Sequence, residues 1–434
     1  MANLLPTAPY RGTRDFLPAE MSVRHQVFTT LYQVIEGFGY QRYDGPLLES
    51  AEIYEAKSGR ELAEMQLYTL TDRGDRRLAL RPEMTPTVAR MIAANASALQ
   101  FPVRWYSHPN CFRYERPQRG RVREHWQINV DVFGTDSPRA EIEVFHLVHD
   151  MMAALGATRD MYRLRVSDRV LLDGVLTHVA GIPAELTGQV SALIDRWEKM
   201  PADQLRADAK GIGLDDDAFT RLSETLSRGA QVIDQLPEDV LAASKLAEVL
   251  DLAGDDLFEV DLRIVRGLAY YTGTVFEVFD ADPENNRALF GGGRYANLAG
   301  LFTKTPIPGI GFGMGDVTLF NFLDSHGLLP APAPALDVSV VAITADQFDA
   351  ACDIARRLRA AGLRTATPLE HRKLGKEIQR SEKAGARVVI IIGAKELADG
   401  QAVVRDLRAS QQQNMPLDDL VTAVTDLLGG TTGH

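Results

Sequence analysis

Phe112-Arg-Tyr-Glu-Arg-Pro-Gln-Arg-Gly-Arg-Val-Arg-Glu-His-Trp-Gln-Ile-Asn-Val-Asp-Val-Phe-Gly134 carries the densest chemistry in the chain. Five arginines (Arg113, Arg116, Arg119, Arg121 and Arg123) surround a Pro/Gly loop. A guanidinium grips phosphate oxygens in pairs and keeps its charge, so the cluster suits a polyphosphate. The strand that follows puts Gln127, Asn129 and Asp131 on one face and Trp126, Ile128, Val130 and Val132 on the other. Taken alone, the stretch also reads as a solvated hairpin with a polar outer face.

Outward from this hairpin, Val23, Val27, Phe28, Leu31, Tyr32 and Ile35 share one helical face between Met21 and Phe38. Val103 to Tyr106 alternates as a strand does, and Ser137-Pro138 opens a helix through Leu155. Phe258 to Ile264 and Thr274 to Phe279 alternate again. Strands that return without intervening helices predict an antiparallel sheet with helices beside it. Between them, from about 166 to 256, the pattern is helical and acidic, with breaks at Gly181-Ile-Pro183, Met200-Pro201 and Leu236-Pro237. Leu329-Pro-Ala-Pro-Ala-Pro-Ala335 is a stiff linker, and the alternation after it describes a small α/β domain.

At 434 residues the chain is long enough for two or three domains, and 45% hydrophobic with 24% charged residues is a globular balance. No apolar run reaches membrane-spanning length. The first residues lack the basic and apolar regions of a signal peptide, so a cytoplasmic protein is expected. Two cysteines, Cys111 and Cys352, exclude a disulfide framework or a cysteine zinc site, and Cys111 reads as a small buried residue. The histidines show no metal-ligand spacing, so no metal ligand is assigned to protein side chains. A net charge of −12 rules out coating nucleic acid by bulk attraction, so any phosphate-binding surface is local.

The arginine-rich hairpin resembles motif 2 of the class II aminoacyl-tRNA synthetases, in the form found in the histidyl-tRNA synthetase family. Arg11-Gly-Thr-Arg-Asp-Phe-Leu-Pro18 is similar to that family's N-terminal signature, and Gly39 to Pro46 to motif 1, which carries its dimer interface. Leu80-Arg-Pro-Glu-Met-Thr85 resembles the loop that meets the substrate α-amino group. Arg266-Gly-Leu-Ala-Tyr-Tyr-Thr272 and Leu289-Phe-Gly-Gly-Gly-Arg-Tyr295 resemble its two histidine-specific signatures. Arg372 to Lys376 and Ile391 to Leu397 resemble its anticodon-binding domain.

The resemblance implies an α+β fold: a class II catalytic domain (antiparallel sheet flanked by helices) at 1–165 and 257–328, a helical insertion at 166–256, a linker at 329–335, and an anticodon-binding-like α/β domain at 336–434. It implies a homodimer. It also implies that histidine and ATP, with magnesium and without a tightly bound cofactor, give histidyl-adenylate, which is passed to the histidine tRNA. Arg113 and Arg266 would then be catalytic. Glu83, Met84, Thr85, Arg113, Gln127, Asp131, Arg266, Tyr270, Tyr271 and Tyr295 would bind histidine. Arg113, Glu115, Arg121, Arg123, His125 and Arg266 would bind ATP, with Arg121 or Arg123 nearer the outer phosphates. Arg116 and Gln118 would meet the tRNA acceptor end.

The chain departs from the family pattern at several positions. Class II motif 3 ends in an arginine that grips the γ-phosphate. In Gly309-Ile-Gly-Phe-Gly-Met-Gly-Asp-Val-Thr-Leu319, Thr318 stands at that place and Val317 where an acid usually precedes it. Asp131 replaces a longer glutamate, His125 a phenylalanine, and Ala269 and Ala296 two aspartates. Two alternatives therefore stay open: a histidine-sensing regulator such as the synthetase-like subunit of ATP phosphoribosyltransferase, and a paralogue that loads another amino acid. The first generally lacks the domain that follows residue 335.

Overall fold

The computed structural model describes residues 4–429 except 57–64, 117–119, 198–199, 255, 266–270, 283–284, 286 and 371. Arg266, Tyr270, Gln118, Arg119 and Ala269 lie outside the described residues. The chain forms two compact units, Met1–Pro330 and Ala331–His434.

The first unit begins with α1 (Pro18–Gly37), β1 (Gln41–Arg42), β2 (Leu48–Ser50), α2 (Ala51–Glu55), β3 (Tyr68–Thr71), β4 (Arg77–Leu80) and α3 (Thr85–Asn95). Next come β5 (Val103–Ser107), β6 (Asn110–Phe112), β7 (Glu124–Phe133), α4 (Arg139–Ala154) and β8 (Tyr162–Asp168). Helices α5 (Arg169–Gly174), α6 (Thr187–Ile194), α7 (Ala202–Gly211), α8 (Asp216–Ser227), α9 (Glu238–Ala243) and α10 (Lys245–Ala253) form the insertion. The unit closes with β9 (Glu259–Val260), β10 (Thr274–Asp280), β11 (Ala288–Tyr295), β12 (Gly309–Gly315) and α11 (Asp316–Ser325).

Nine strands form one sheet in the order β1-β5-β7-β12-β11-β10-β8-β9, with β6 paired to β7. Its central pairings are antiparallel, and only the outer pairs β1–β5 and β8–β9 are parallel. One face carries Ile128, Val130, Phe276, Phe290, Ile310, Phe312 and Met314, buried with Leu31 and Ile35 of α1, Val144 and Phe145 of α4, and Leu319 and Phe322 of α11. Each such side chain contributes roughly 1.5–3 kcal/mol on burial. The insertion shares this core through Leu171, Leu193, Leu222 and Val249, so its helices extend the layer behind the sheet. The opposite face, left free of these helices, presents the polar residues of β7.

Two boundaries differ from the reading of the sequence. Residues 166–168 belong to β8 and pair with β10, so the helical stretch begins at Arg169. The strand expected from Phe258 to Ile264 is only Glu259–Val260. Asp261 ends it: its carboxylate accepts from the Arg263 backbone N–H at 3.0 Å and from the Arg263 guanidinium at 2.9 and 2.8 Å, folding the chain into a local turn.

The second unit holds β13 (Val338–Ala342), α12 (Phe348–Ala360), β14 (Thr365–Ala366), α13 (Leu374–Lys383), β15 (Val388–Ile392), α14 (Ala394–Ala398), β16 (Gln401–Asp406), β17 (Gln411–Pro416) and α15 (Leu420–Leu427). Its sheet order is β14-β13-β15-β16-β17, parallel through the first three strands and antiparallel in the last two pairings.

A buried ion pair pins β11 to the start of α4. Arg294 donates to both oxygens of Glu141, at 2.5 and 2.6 Å, and to the carbonyls of Thr135 and Ser137. The pair's side chains are 4% and 0% exposed, and without Glu141 the buried guanidinium keeps two carbonyls and the exposed Asp136 at 3.4 Å. Glu141→Ala is expected to cost roughly 3–5 kcal/mol in urea unfolding. A loss below about 1 kcal/mol would show the pair to be dispensable.

Candidate active site

The free face of the sheet is shaped by glycine. On β12, Gly309, Gly311, Gly313 and Gly315 pair in register with Phe133, Asp131, Asn129 and Gln127 of β7. A methyl group built on Gly311 would lie 2.2 Å from Asp131 Oδ1, and one on Gly313 would lie 2.2 Å from Gln127 Nε2. One on Gly309 would lie 2.5 Å from the Tyr295 ring, and one on Gly293 of β11 would lie 3.0 Å from the Tyr271 ring. Each of these glycines leaves room for a polar or aromatic side chain lying across it.

Asp131 is buried and accepts from the Tyr295 hydroxyl at 2.8 Å, while its second oxygen has no partner among the described residues. Burial lifts its carboxyl to about 7, against the pull of the Tyr295 hydroxyl, and nearby Glu83 adds to the rise. Glu83 is itself buried, just before α3. Met84 is fully buried and reaches toward Gly45, where a methyl group would lie 2.8 Å from its Cε, so its side chain serves packing. Thr85 begins α3 and is half-buried.

The same sheet face holds a cavity of about 230 Å³. Arg113, Glu115, Arg121, His125 and Gln127 line it from the hairpin, and Gly313, Gly315, Val317 and Thr318 from β12 and α11. Arg113 is aimed by a 2.9 Å bond from its Nε to the Pro82 carbonyl. Arg81, behind it, donates to the carbonyls of Asn110 and Gly45 at 2.8 Å each, tying the 80–85 loop to the hairpin. Arg121 lies 3.3 Å from Glu115. Burial, with Arg113 and Arg14 nearby, lowers the His125 imidazole to about 3, so the ring is neutral at physiological pH. Arg116 is exposed on the loop.

Arg123 is placed differently from its neighbours. It donates to the Tyr10 hydroxyl at 2.6 Å, its guanidinium lies 4.3 Å from the Tyr114 ring centroid, and its stem packs under Gly12. It braces the hairpin against the N-terminal segment and does not line the cavity, whereas Arg121 does.

One group was not singled out in the sequence. Asp316, buried at the start of α11, accepts from Arg14 at 2.9 Å, from Arg24 at 2.8 Å and from the Trp126 backbone N–H at 3.1 Å. It joins the N-terminal signature, α1, β7 and α11 behind the cavity. A buried arginine on the otherwise apolar face of α1, Arg24, was the available signal.

The family description "Histidyl-tRNA synthetase" matches residues 12–317, and "Anticodon binding domain" matches 337–427. The chain belongs to the histidyl-tRNA synthetase family. It is 38% identical over 430 residues to a histidine–tRNA ligase of Leptospira biflexa, covering 98% of both chains. It is 35% identical to the chloroplastic/mitochondrial histidine–tRNA ligase of Arabidopsis thaliana, covering 95% of this chain and 85% of that one. Among solved structures it is similar to the histidyl-tRNA synthetase of Nostoc sp. PCC 7120, with TM-score 0.79 and 25% identity, covering 98% of this chain and all of that one. A Bacillus halodurans protein described as an ATP phosphoribosyltransferase regulatory subunit/histidyl-tRNA synthetase shares the fold, with TM-score 0.72 at 22% identity over 90% of this chain and all of that one.

The Asp131 geometry sets a pH dependence. An unfolded aspartate titrates near 3.8 and this one near 7, so the folded state holds the proton between those values. Stability therefore falls as pH rises through that window. Asp131→Asn removes the burden and keeps an acceptor for Tyr295. The variant is expected to melt above the parent at about pH 8, by a margin that shrinks toward about pH 5. A margin independent of pH would contradict the account.

Proposed function

We infer that this chain is a histidine–tRNA ligase: it activates histidine with ATP and transfers it to the histidine tRNA. The observation that carries this is one sheet face that holds both the buried Asp131–Tyr295 pair and the cation-lined cavity at Arg113, with Gln127 of the same strand face lining the cavity. Family membership along nearly the whole chain supports it. The regulator reading is not favoured, because curated histidine–tRNA ligases match end to end and an anticodon-binding domain follows the linker.

In the first step a histidine carboxylate oxygen attacks the α-phosphorus of ATP. A new P–O bond forms as the bond to pyrophosphate breaks. Arg113, held by the Pro82 carbonyl at the cavity wall, holds the carboxylate and the α-phosphate and stabilises the charge that builds there. Arg266 belongs to the same step by resemblance and lies outside the described residues. Glu115 meets the adenine amino group, the neutral ring of His125 stacks on the base, and Arg121 reaches the outer phosphates, with magnesium arriving as the ATP complex.

Glu83 and Gln127 hold the α-ammonium, with Thr85 beside them. Asp131, Tyr271 and Tyr295 surround the imidazole, together with Tyr270 of the same signature. A site that satisfies both ring nitrogens rejects side chains lacking them. Arg116 and Gln118 meet the acceptor end of the tRNA, and the second unit meets its anticodon. Motif 1, which runs through the edge strand β1, forms the interface of a class II homodimer working in the cytoplasm. Among the described residues, no helix is long and apolar enough to cross a membrane.

The test is amino-acid-dependent ATP–pyrophosphate exchange with all twenty amino acids. Exchange specific to histidine is expected, falling roughly a hundred- to a thousandfold in Arg113→Ala. Exchange with another amino acid would favour the paralogue. Histidine binding without exchange would favour the regulator.

A further inference from the structure

We propose that Arg287 supplies the cation for the outer phosphates at the rim of the cavity where Thr318 offers none. The proposal rests on reading this cavity as the ATP site. Arg287 immediately precedes β11, and Leu289, two residues on, lines the cavity wall. Its side chain comes back toward the hairpin loop. A methyl group built on Gly120 would lie 3.7 Å from Arg287 Nη1 and 3.9 Å from Thr318 Cγ2. Gly120 and Thr318 both line the cavity, so the exposed guanidinium stands at the same stretch of rim as the threonine.

The chemistry of that rim calls for a cation. Thr318 donates its hydroxyl to the Leu289 carbonyl, so the hydroxyl is engaged with the wall. Arg113 is held by the Pro82 carbonyl, next to Glu83. Arg121 is partly neutralised by Glu115 at 3.3 Å. A triphosphate brings several negative charges, and guanidinium groups are suited to phosphate because they bind it in a fixed planar fork. Arg287 reaches this rim from just before β11 and meets the hairpin loop at Gly120, next to Arg121. Its backbone leads into the strand at once, where Ala288 pairs with Phe279 of β10.

The test compares two ligands on the full chain by calorimetry. ATP carries the outer phosphates. A non-hydrolysable histidyl-sulfamoyl-adenosine carries the same adenosine and histidine parts without them. Arg287→Ala is expected to weaken ATP roughly ten- to a hundredfold, the range for a lost hydrogen bond to a charged group, and to leave the sulfamoyl compound unchanged. Adding Thr318→Arg to Arg287→Ala places a guanidinium at the same rim from the other side, and is expected to recover ATP affinity. Arg287→Lys is expected to fall between parent and alanine variant.

Unchanged ATP affinity in Arg287→Ala would overturn the proposal. So would equal weakening of both ligands, which a merely structural role produces. Failure of histidine-dependent exchange in the unmodified chain would defeat the proposed activity, while the ATP comparison would still decide the role of Arg287.

Discussion

The fold depends on a constraint at the middle of its large sheet: alternate residues of β12, and Gly293 beside them on β11, can carry no side chain. Asp131, Gln127, Tyr295 and Tyr271 each lie across one of these positions, at distances where even a methyl group would collide. Glycine weakens a strand, because it loses more freedom on folding and adds nothing to the packing. The sheet tolerates this because its other face is covered by a continuous core in which Phe276, Phe290, Phe312 and Ile310 do the packing. The period of two along a strand thus separates two tasks: one set of alternate residues holds the sheet to its helices, and the other opens a floor on which polar groups can stand.

Those polar groups are held by buried charge. Asp316 gathers Arg14, Arg24 and a backbone N–H of β7 behind the cavity, and Glu141 holds Arg294 at the far end of β11. Such pairs add little net stability over an apolar core, but they tolerate no missing partner. They also fix positions to within hydrogen-bond geometry. Gln127 follows the Trp126 N–H that Asp316 holds, and Arg113 is held by the Pro82 carbonyl, so the amide and the cation are in place before any substrate arrives.

Much of this was legible in the sequence, and the reasons differ by element. The alternation of β7 assigned its two faces residue by residue, because strand period is local. Helix α1 followed from its apolar stripe, and α4 from the Ser137-Pro138 pair that opens it. Strand β17, Gln411 to Pro416, was not foreseen, since a run of glutamines shows no apolar alternation and is set by its partner β16. Strand β9 was overestimated because the turn made by Asp261 and Arg263 interrupts an apolar pattern that otherwise continues. In the site, the motifs named the hairpin, the glutamate loop and the tyrosines. They did not separate Arg121 from Arg123, because that distinction lies in contacts with Tyr10, more than a hundred residues away in the chain. They also could not pair Arg287 with Thr318, a proximity that exists only once β11 and α11 are packed together.

The most direct test of the central constraint is Gly313→Ala. At Gly311 a methyl group would also press on the Val130 carbonyl, and the sheet itself would suffer. At Gly313 its nearest neighbours are the side chains of Gln127 and Asn129, so the strand pairing can survive while Gln127 is displaced. The measurement is the dissociation constant for histidine, taken alongside the melting temperature. The account predicts a melting temperature close to the parent's and a histidine affinity lowered by roughly tenfold or more, the scale of one lost hydrogen bond to a charged ammonium. Unchanged histidine affinity in a folded Gly313→Ala protein would contradict it.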